Sequence, residues 1–166
     1  MRADLPALRR ATIDDLEAIR TIYNEGIEDR VATLDIDSKT AAEMNAWWAE
    51  HDERYAVLIA TASGRTAGWA SLNRFSHRCA HADIADLSVY VSRQHRGKGV
   101  GSALLSRLVE EARRGGFHKI VLHALSANEQ GKALYRKCAF AEVGVFREHG
   151  ALDGRFVDVV AMERLL

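Results

Sequence analysis

A glycine-rich loop between a strand and a helix constrains the fold of this 166-residue chain more than any other segment. The loop reads Arg96-Gly97-Lys98-Gly99-Val100-Gly101-Ser102. Its alternate glycines permit a tight turn and bring several backbone N–H groups within reach of one anion. The start of the following helix also favours negative charge, because its first N–H groups are unpaired and its dipole is positive there. With the cations of Arg96 and Lys98 close by, the loop predicts a pyrophosphate-binding site.

The spacing of these glycines separates the loop from two common phosphate-binding motifs. A P-loop has the pattern GxxxxGK followed by Ser or Thr, which this segment lacks. The dinucleotide-binding fingerprint is GxGxxG, whereas this chain has GxGxG. A glycine-rich turn that does no more than start a helix is the alternative interpretation.

Hydrophobic periodicity predicts a mixed α/β fold in a single domain spanning residues 1–166. Thr12 is expected to cap a first helix, which weakens near Asn24 and Gly26, and Thr40 is expected to cap a second. The second half of the chain alternates strand and helix, which favours a parallel strand pair within a mixed sheet. The other predicted helices cover residues 99–114 and 128–137, and the predicted strands cover residues 55–62, 65–72, 84–91, 119–124, 143–147 and 156–165.

Composition narrows the possible functions. Lys plus Arg and Asp plus Glu each number 23, so the chain lacks the basic excess of a protein that binds nucleic acid through its phosphates. Cys79 and Cys138 show no metal-ligand or disulfide-framework spacing, which favours a reducing compartment. The chain shows no secretory signal and no apolar run approaching the roughly 18 residues of a membrane span. We therefore expect a cytoplasmic protein without nucleic-acid or membrane partners, and its seven dispersed histidines predict no metal site.

Several motifs resemble those of the GNAT superfamily of N-acetyltransferases. The loop fits the superfamily's acetyl-CoA pattern, R-x-x-G-x-G. Asn128 and Tyr135 resemble a later motif in which Asn meets the pantetheine and Tyr faces the thiol, although Ala139 replaces its usual glycine. The chain is also similar, nearly end to end, to the phosphinothricin and methionine sulfoximine N-acetyltransferase group, through residues 22–24, 33–35, 78–81, 88–91 and 153–158.

This resemblance implies the GNAT fold, a central and mostly antiparallel sheet with a splayed parallel pair, flanked by helices. It also implies direct transfer of an acetyl group from acetyl-CoA to a primary amine in a ternary complex, without a metal. In such proteins the loop holds the pyrophosphate, the preceding strand pairs with the pantetheine amides, and Asn128 would bond to the pantetheine arm. The acetyl-CoA-binding residues implied here are Leu87, Val89, Tyr90, Val91, Arg96, Gly97, Lys98, Gly99, Val100, Gly101, Ser102 and Asn128.

The same resemblance implies two catalytic residues. Asp86 would accept the proton of the amine, at a position where the phosphinothricin group has Glu, so a water relay is an alternative to direct contact. Tyr135 would donate a proton to the departing CoA thiolate, because a phenol with a reference pKa of about 10 stays protonated beforehand. The backbone N–H of Leu87 or Val89 would polarise the thioester carbonyl. The alternatives are a carboxylate on a solvated strand face for Asp86 and an interior aromatic residue for Tyr135.

Four residues are expected to bind the acceptor. Arg78 can hold an anionic group with its guanidinium fork, His81 stands where the related group has Tyr, and Thr33 and Phe75 are further candidates. The resulting prediction is acetylation of a small amino-acid-like amine of the phosphinothricin and methionine sulfoximine class, by a detoxifying homodimer. The alternatives are another amine (an amino acid, a polyamine or a protein amine) and a non-catalytic acyl-CoA-binding module.

Overall fold

One mixed sheet carries the fold of residues 6–166, the part of the chain that the computed structural model describes. Within these residues the strands are β1 (Ala7–Arg10), β2 (Val57–Ala62), β3 (Arg65–Arg74), β4 (Ile84–Val91), β5 (Lys119–Leu125), β6 (Ala141–Leu152) and β7 (Arg155–Leu165). The α-helices are α1 (Leu16–Glu28), α2 (Ala41–Ala49), α3 (Val100–Arg114) and α4 (Glu129–Lys137). The strand order is β1-β2-β3-β4-β5-β7-β6, and all neighbours are antiparallel except β4 and β5. The predicted mixed sheet with one parallel pair is confirmed.

The parallel pair of β4 and β5 is short and then opens. Its registered partners are Ile84 with Lys119, Ala85 with Ile120, and Asp86 with Val121. Beyond these residues β4 continues to Val91 and β5 continues to Leu125 without pairing with each other. The two strands therefore diverge after Asp86. The edge of residues 87–91 that faces β5 is left without a strand partner.

Helices cover both faces of the sheet. On one face lies the predicted apolar stripe of α3, formed by Val100, Leu104, Leu105, Leu108, Val109 and Ala112. On the other face α1 and α2 enclose a second apolar cluster around Trp69 of β3. Successive strand residues point to opposite faces, so Leu87 joins the α3 core, whereas Asp86 and Ser88 turn toward the α1–α2 side.

Helix α1 does not weaken at Asn24 and Gly26, so that prediction was wrong: the helix continues to Glu28. Gly26 is buried against β4, where a Cβ would lie 2.9 Å from Tyr90 Cδ1. The side chain of Asn24 binds the next segment, because Lys39 N–H donates to Asn24 Oδ1 over 2.7 Å. Both residues therefore make contacts with other segments, and neither ends the helix.

Two strands differ from the sequence prediction. Strand β1 was not predicted, because four residues carry too little periodicity to be recognised. The strand predicted over residues 143–147 extends over Ala141–Leu152, and most of its residues are exposed at the edge of the sheet.

Thr40 caps α2 as predicted, accepting a hydrogen bond from Glu43 N–H over 3.2 Å. Within residues 6–166, no helix is both long and apolar enough to span a membrane.

Candidate active site

A cavity of about 820 Å³ opens where β4 and β5 diverge. Its walls come from β4, β5, the glycine loop, α4 and the segment that follows α1. The sequence-predicted residues on these walls are Thr33, Asp86, Leu87, Val89, Tyr90, Val91, Arg96, Gly97, Gly99, Gly101, Ser102, Asn128 and Tyr135. The fold thus brings the expected acetyl-CoA loop and both expected catalytic side chains to one space.

The glycine loop leaves its backbone open to this cavity. Gly97 and Gly99 have φ values of +72° and +84°, in the left-handed region that favours glycine. At either position a Cβ would meet no heavy atom within 4 Å, so the space beside the backbone is open. The first backbone bond of α3 runs from Ala103 N–H to the Gly99 carbonyl (3.0 Å). The N–H groups of residues 100–102 precede that bond and can bind an anion, which fits the pyrophosphate of acetyl-CoA.

The charged and apolar side chains of the loop have different surroundings. Arg96 pairs with Asp29 at the end of α1 (Nη1–Oδ2 2.6 Å), and its Nε donates to the Val91 carbonyl over 3.1 Å. These contacts tie the loop to α1 and β4, so Arg96 orders the loop as well as adding positive charge. Lys98 is exposed and Val100 is buried in the core, and neither side chain lines the cavity. Val100 is therefore available to a ligand only through its backbone.

Asp86 lies at the point where the two strands part. Burial raises the pKa of its carboxyl from 3.8 to about 6, while hydrogen bonds from the Asn73 side chain and the Leu87 backbone oppose that rise. Asn73 Nδ2 donates to Asp86 Oδ2 over 3.3 Å and to Ser88 Oγ over 3.0 Å. A carboxyl whose pKa lies near the working pH is suited to general base catalysis. Sequence analysis missed Asn73, although the antiparallel register of β3 and β4 places it opposite Asp86.

Tyr135 faces the same cavity from α4. Burial raises the pKa of its hydroxyl well above the usual range, and the charges of Tyr90 and Asp86 raise it further. The phenol therefore stays protonated at neutral pH and can donate a proton or a hydrogen bond. Its ring packs edge-on against Phe140, with the ring centroids 6.1 Å apart.

Asn128 combines a structural contact with its predicted binding role. Its Oδ1 accepts a hydrogen bond from Gly131 N–H over 2.9 Å and so caps α4. Asn128 also lines the cavity, and the Nδ2 group of the same amide can donate a hydrogen bond. The side chain thus fits a ligand that offers a carbonyl, as the pantetheine arm of acetyl-CoA does.

Three of the predicted acceptor residues lie outside this cavity. Phe75, Arg78 and His81 belong to the segment between β3 and β4, where the rings of Phe75 and His81 are in edge contact, 5.1 Å apart. The Arg78 side chain is exposed. Thr33 does line the cavity, and its hydroxyl donates to Asp35 Oδ2 over 3.4 Å. A single chain therefore brings Thr33, but not the other three, to the cavity that holds Asp86 and Tyr135.

A second cavity of about 240 Å³ adjoins the first on the α1–α2 side. Its walls include Asp35, Glu43, Trp47 and Trp69, and it shares Tyr23 and Ser88 with the larger cavity. The Tyr23 hydroxyl donates to the Asp35 carboxylate. Burial raises the pKa of that hydroxyl beyond its usual range, and Asp35 raises it further. Sequence analysis did not find this cavity, although residues 22–24 and 33–35 were among the segments that carry the family resemblance.

The fold and this site define a class of protein. A backbone N–H cradle at one end of the cavity can bind an anionic carrier, while a carboxyl with a raised pKa and a protonated phenol lie where the strands part. These are the groups that acyl transfer from a thioester to an amine requires. Among residues 6–166, no group of three or more His, Cys, Asp or Glu side chains is placed to hold a metal ion. The class is an acyl-CoA-dependent transferase.

Known proteins are similar to this chain in both sequence and fold. The model of the Acetyltransferase (GNAT) family matches residues 16–140. The L-methionine sulfoximine/L-methionine sulfone acetyltransferase of Pseudomonas aeruginosa is 31% identical, over 95% of this chain and 92% of that protein. The L-amino acid N-acyltransferase of Escherichia coli is 32% identical, over 95% and 92%. The crystal structure of a phosphinothricin acetyltransferase from Sinorhizobium meliloti in complex with AcCoA has a TM-score of 0.93 and 32% identity, and covers 98% of this chain and 89% of that one.

The chain belongs to the Acetyltransferase (GNAT) family. It is an N-acetyltransferase that uses acetyl-CoA as its co-substrate. The family resemblance inferred from the glycine loop and the later Asn and Tyr motif is thereby confirmed, as is the GNAT fold.

Proposed function

We propose that this chain acetylates the primary amine of a small amino-acid-like acceptor of the phosphinothricin and methionine sulfoximine class. The observation that carries this proposal is that the cavity with the acetyl-CoA loop adjoins a second cavity at Tyr23 and Ser88, close to Asp86. Donor and acceptor can then approach the same carboxyl from two sides, as direct transfer in a ternary complex requires. Similarity to the methionine sulfoximine acetyltransferase of Pseudomonas aeruginosa and to the phosphinothricin acetyltransferase of Sinorhizobium meliloti supports this acceptor class.

In this proposal acetyl-CoA supplies the activated acetyl group as a thioester. The backbone N–H groups of residues 97–102 bind its pyrophosphate, supported by the charges of Arg96 and Lys98. The free edge of residues 87–91 pairs with the pantetheine amides as a sheet edge pairs with an added strand. Asn128 donates a hydrogen bond to the pantetheine arm through Nδ2.

Proton movements then accompany the transfer. Asp86 accepts a proton from the acceptor amine, through one water where its side chain, one methylene shorter than Glu, does not reach. The freed lone pair forms the new C–N bond as the C–S bond breaks. The backbone N–H of Leu87 or Val89 stabilises the negative charge that grows on the thioester oxygen. Tyr135 donates a proton to the departing thiolate.

Ordinary L-amino acids are a second candidate class of acceptor. The similarity to the L-amino acid N-acyltransferase of Escherichia coli favours it. A polyamine is a poorer candidate, because Asp35 in the second cavity already pairs with Lys39 (Nζ–Oδ1 3.1 Å) and the chain carries no net charge. The amino-acid and glutamate-analogue classes share an α-amine beside an anionic group, so a direct assay must separate them.

The test is the release of CoA thiol by purified protein with acetyl-CoA and a panel of amines. The panel contains phosphinothricin, methionine sulfoximine, the common amino acids, a polyamine and a short peptide. Release confined to the two glutamate analogues would support the proposal, and equal release with common amino acids would support the second candidate. Binding of acetyl-CoA without release by any amine would overturn both candidates and favour a non-catalytic module.

A homodimer is also part of the proposal. Apolar side chains are exposed on the hairpin of β6 and β7, where Val143 is 61%, Val145 53% and Phe156 72% accessible. Exposed apolar side chains of this kind on one hairpin support a protein–protein interface. Light scattering after size exclusion should give twice the chain mass, and Phe156→Asp should reduce it. A single-chain mass for the unaltered protein would contradict the dimer.

We also propose that the protein works in the cytoplasm, where acetylation would detoxify the acceptor amine. Cys79 and Cys138 are both free thiols, which supports a reducing compartment. Expression with a fluorescent fusion and fractionation of the cells would test the location. Increased sensitivity to phosphinothricin or methionine sulfoximine after deletion would test the detoxifying role, and unchanged sensitivity would contradict it.

A further inference from the structure

A series of hydrogen bonds leads from Asp86 to a histidine that the proposed mechanism does not use. Asn73 Nδ2 donates to Asp86 Oδ2 over 3.3 Å. On the other side of the Asn73 amide, His51 Nε2 lies 3.0 Å from Asn73 Oδ1. His51 Nδ1 in turn lies 2.8 Å from the backbone carbonyl of Trp47. The series connects the segment after α2 with β3 and β4.

Both ring nitrogens of His51 lie beside acceptor oxygens in this arrangement. A backbone carbonyl and an amide oxygen can only accept hydrogen bonds. An N–H at Nε2 lets His51 donate to Asn73 Oδ1, and the Asn73 amide then directs its Nδ2 at Asp86. The Ser71 hydroxyl also donates to Asn73 Oδ1 over 2.8 Å, and Asn73 Nδ2 also donates to Ser88 Oγ over 3.0 Å. Both hydroxyls can exchange their donor and acceptor roles.

The opposite orientation of the Asn73 amide reverses both hydrogen bonds. In that orientation Asn73 Nδ2 donates to an Nε2 that carries no hydrogen, and Asn73 Oδ1 faces Asp86. Only a protonated Asp86 carboxyl can donate to that oxygen. A donor N–H on His51 Nε2 therefore favours the amide orientation that donates to an ionised Asp86.

The Asn73 amide is the hydrogen-bonded link between His51 and Asp86. Asp86 is faced by Asn73 from β3, Leu87 N–H and Ser88 from β4, Val121 from β5 and Tyr135 from α4. Of these neighbours only Tyr135 is titratable, and its hydroxyl stays protonated at neutral pH. The His51 ring packs on Trp47 of α2, with centroids 4.3 Å apart. The adjacent carboxylate, Asp52, accepts hydrogen bonds from backbone N–H groups of the following loop.

We infer that His51 is a positioning residue for acetyl transfer, which acts through Asn73 to hold the Asp86 carboxyl ionised and oriented. This inference rests on the proposed role of Asp86 as the base. No proton passes through the amide: His51 acts by keeping the Asn73 N–H directed at Asp86. A hydrogen bond to the charged form of a carboxyl lowers its pKa. Loss of the His51 contact therefore allows the amide to turn and raises the pKa of Asp86.

Two substitutions at His51 separate its ring from its hydrogen bonds. His51→Phe keeps an aromatic ring against Trp47 and removes both N–H groups, whereas His51→Gln keeps a donor for Asn73. The kcat/KM for methionine sulfoximine, the acceptor used as the probe, is measured from about pH 5 to about pH 8 for both variants, for Asn73→Ala and for Asp86→Asn. In the pH profile of kcat/KM, we expect the acid limb (the fall in kcat/KM at low pH) of His51→Phe to move to higher pH by about 0.5 to 1 pH unit. This is the contribution of one hydrogen bond. His51→Gln should restore most of the original profile, and the KM of acetyl-CoA should stay unchanged.

A double substitution and a spectroscopic titration complete the test. Asn73→Ala should give the same movement of the acid limb, and adding His51→Phe to it should have no further effect, because the link is already removed. ¹³C NMR of the Asp86 carboxyl should show the same movement without any turnover. An unchanged acid limb and titration in His51→Phe would overturn the inference while loss of activity in Asp86→Asn still supported the base. Full activity in Asp86→Asn would overturn the base assignment and, with it, the role of His51.

Discussion

Replacement of Asp86 by asparagine should make the protein more stable and less active. Burial raises the pKa of this carboxyl from 3.8 to about 6, so the folded protein binds the proton more tightly than the unfolded chain does. The protonated carboxyl therefore contributes stability that is fully present below about pH 4 and is lost as the pH rises through about 6. A pKa difference of this size corresponds to about 3 kcal/mol at neutral pH, which is the upper limit of the gain from removing the charge.

Thermal unfolding tests the stability side of this prediction. Asparagine retains the shape of the aspartic acid but cannot ionise, so Asp86→Asn should melt several degrees higher near neutral pH. For a chain of this length, each kcal/mol corresponds to about 2–4 °C. Near pH 4, where Asp86 of the unaltered protein is protonated, the melting temperatures of the two proteins should nearly coincide. Calorimetry at the two pH values measures both differences.

The activity side of the prediction is tested with the same variant. A carboxyl of pKa about 6 is about nine-tenths ionised at pH 7 and about one-tenth ionised at pH 5, so the unaltered protein should lose most of its kcat/KM between them. Asp86→Asn should lower kcat/KM near neutral pH by at least about tenfold and remove that acid limb. Asp86→Glu, which restores the residue of the related group, should keep the limb. A lower melting temperature near neutral pH, or unchanged kcat/KM, would refute the reasoning.

Three further substitutions test the loop, the proton donor and the packing of α1. Gly99→Val should abolish acetyl-CoA binding in calorimetry, because the φ of +84° excludes a branched residue and its side chain would fill the open space beside the N–H groups. Gly144→Val, on the exposed strand β6, is the matched control and should bind normally. Tyr135→Phe should lower kcat about 100-fold with acetyl-CoA affinity unchanged; an unaltered kcat would exclude proton donation by Tyr135. Gly26→Ala should lower the free energy of unfolding in urea by about 1–3 kcal/mol, since the new Cβ would lie 2.9 Å from Tyr90 Cδ1. No loss of stability would mean that α1 moves freely to accommodate the methyl group.

The glycine loop and α3 were predictable because their signals are local. The alternate glycines correspond to positive φ values at Gly97 and Gly99, and the apolar stripe of α3 has the period of a helix facing a core. The capping box at Thr40 is likewise contained in four neighbouring residues. Each of these patterns lies within one turn or one element, so the sequence specifies it without knowledge of distant residues.

Strand β6 and helix α1 show where local signals fail. Strand β6 lies mostly exposed at the sheet edge, so its residues lack the alternation that marks a half-buried strand, and its full length was missed. Gly26 favours the end of a helix by its intrinsic propensity, yet it lies inside α1, because Tyr90 of β4 leaves no room for a Cβ there. Gly26 stays inside α1 because of a contact with a strand distant in the sequence. Strand β6 lacks alternation because no distant element packs against most of its residues.

The sequence by itself determined three groups of the candidate site: the backbone cradle of residues 97–102, the carboxyl of Asp86 and the phenol of Tyr135. Only the tertiary structure decided how Asp86 behaves. The register of β3 places Asn73 opposite Asp86, and the parallel pairing with β5 ends at this residue, so that the carboxyl is buried at the wall of a cavity. Its pKa of about 6 results from desolvation by elements that are distant in the sequence. Because desolvation depends on everything packed around a group, no local pattern of residues can encode it.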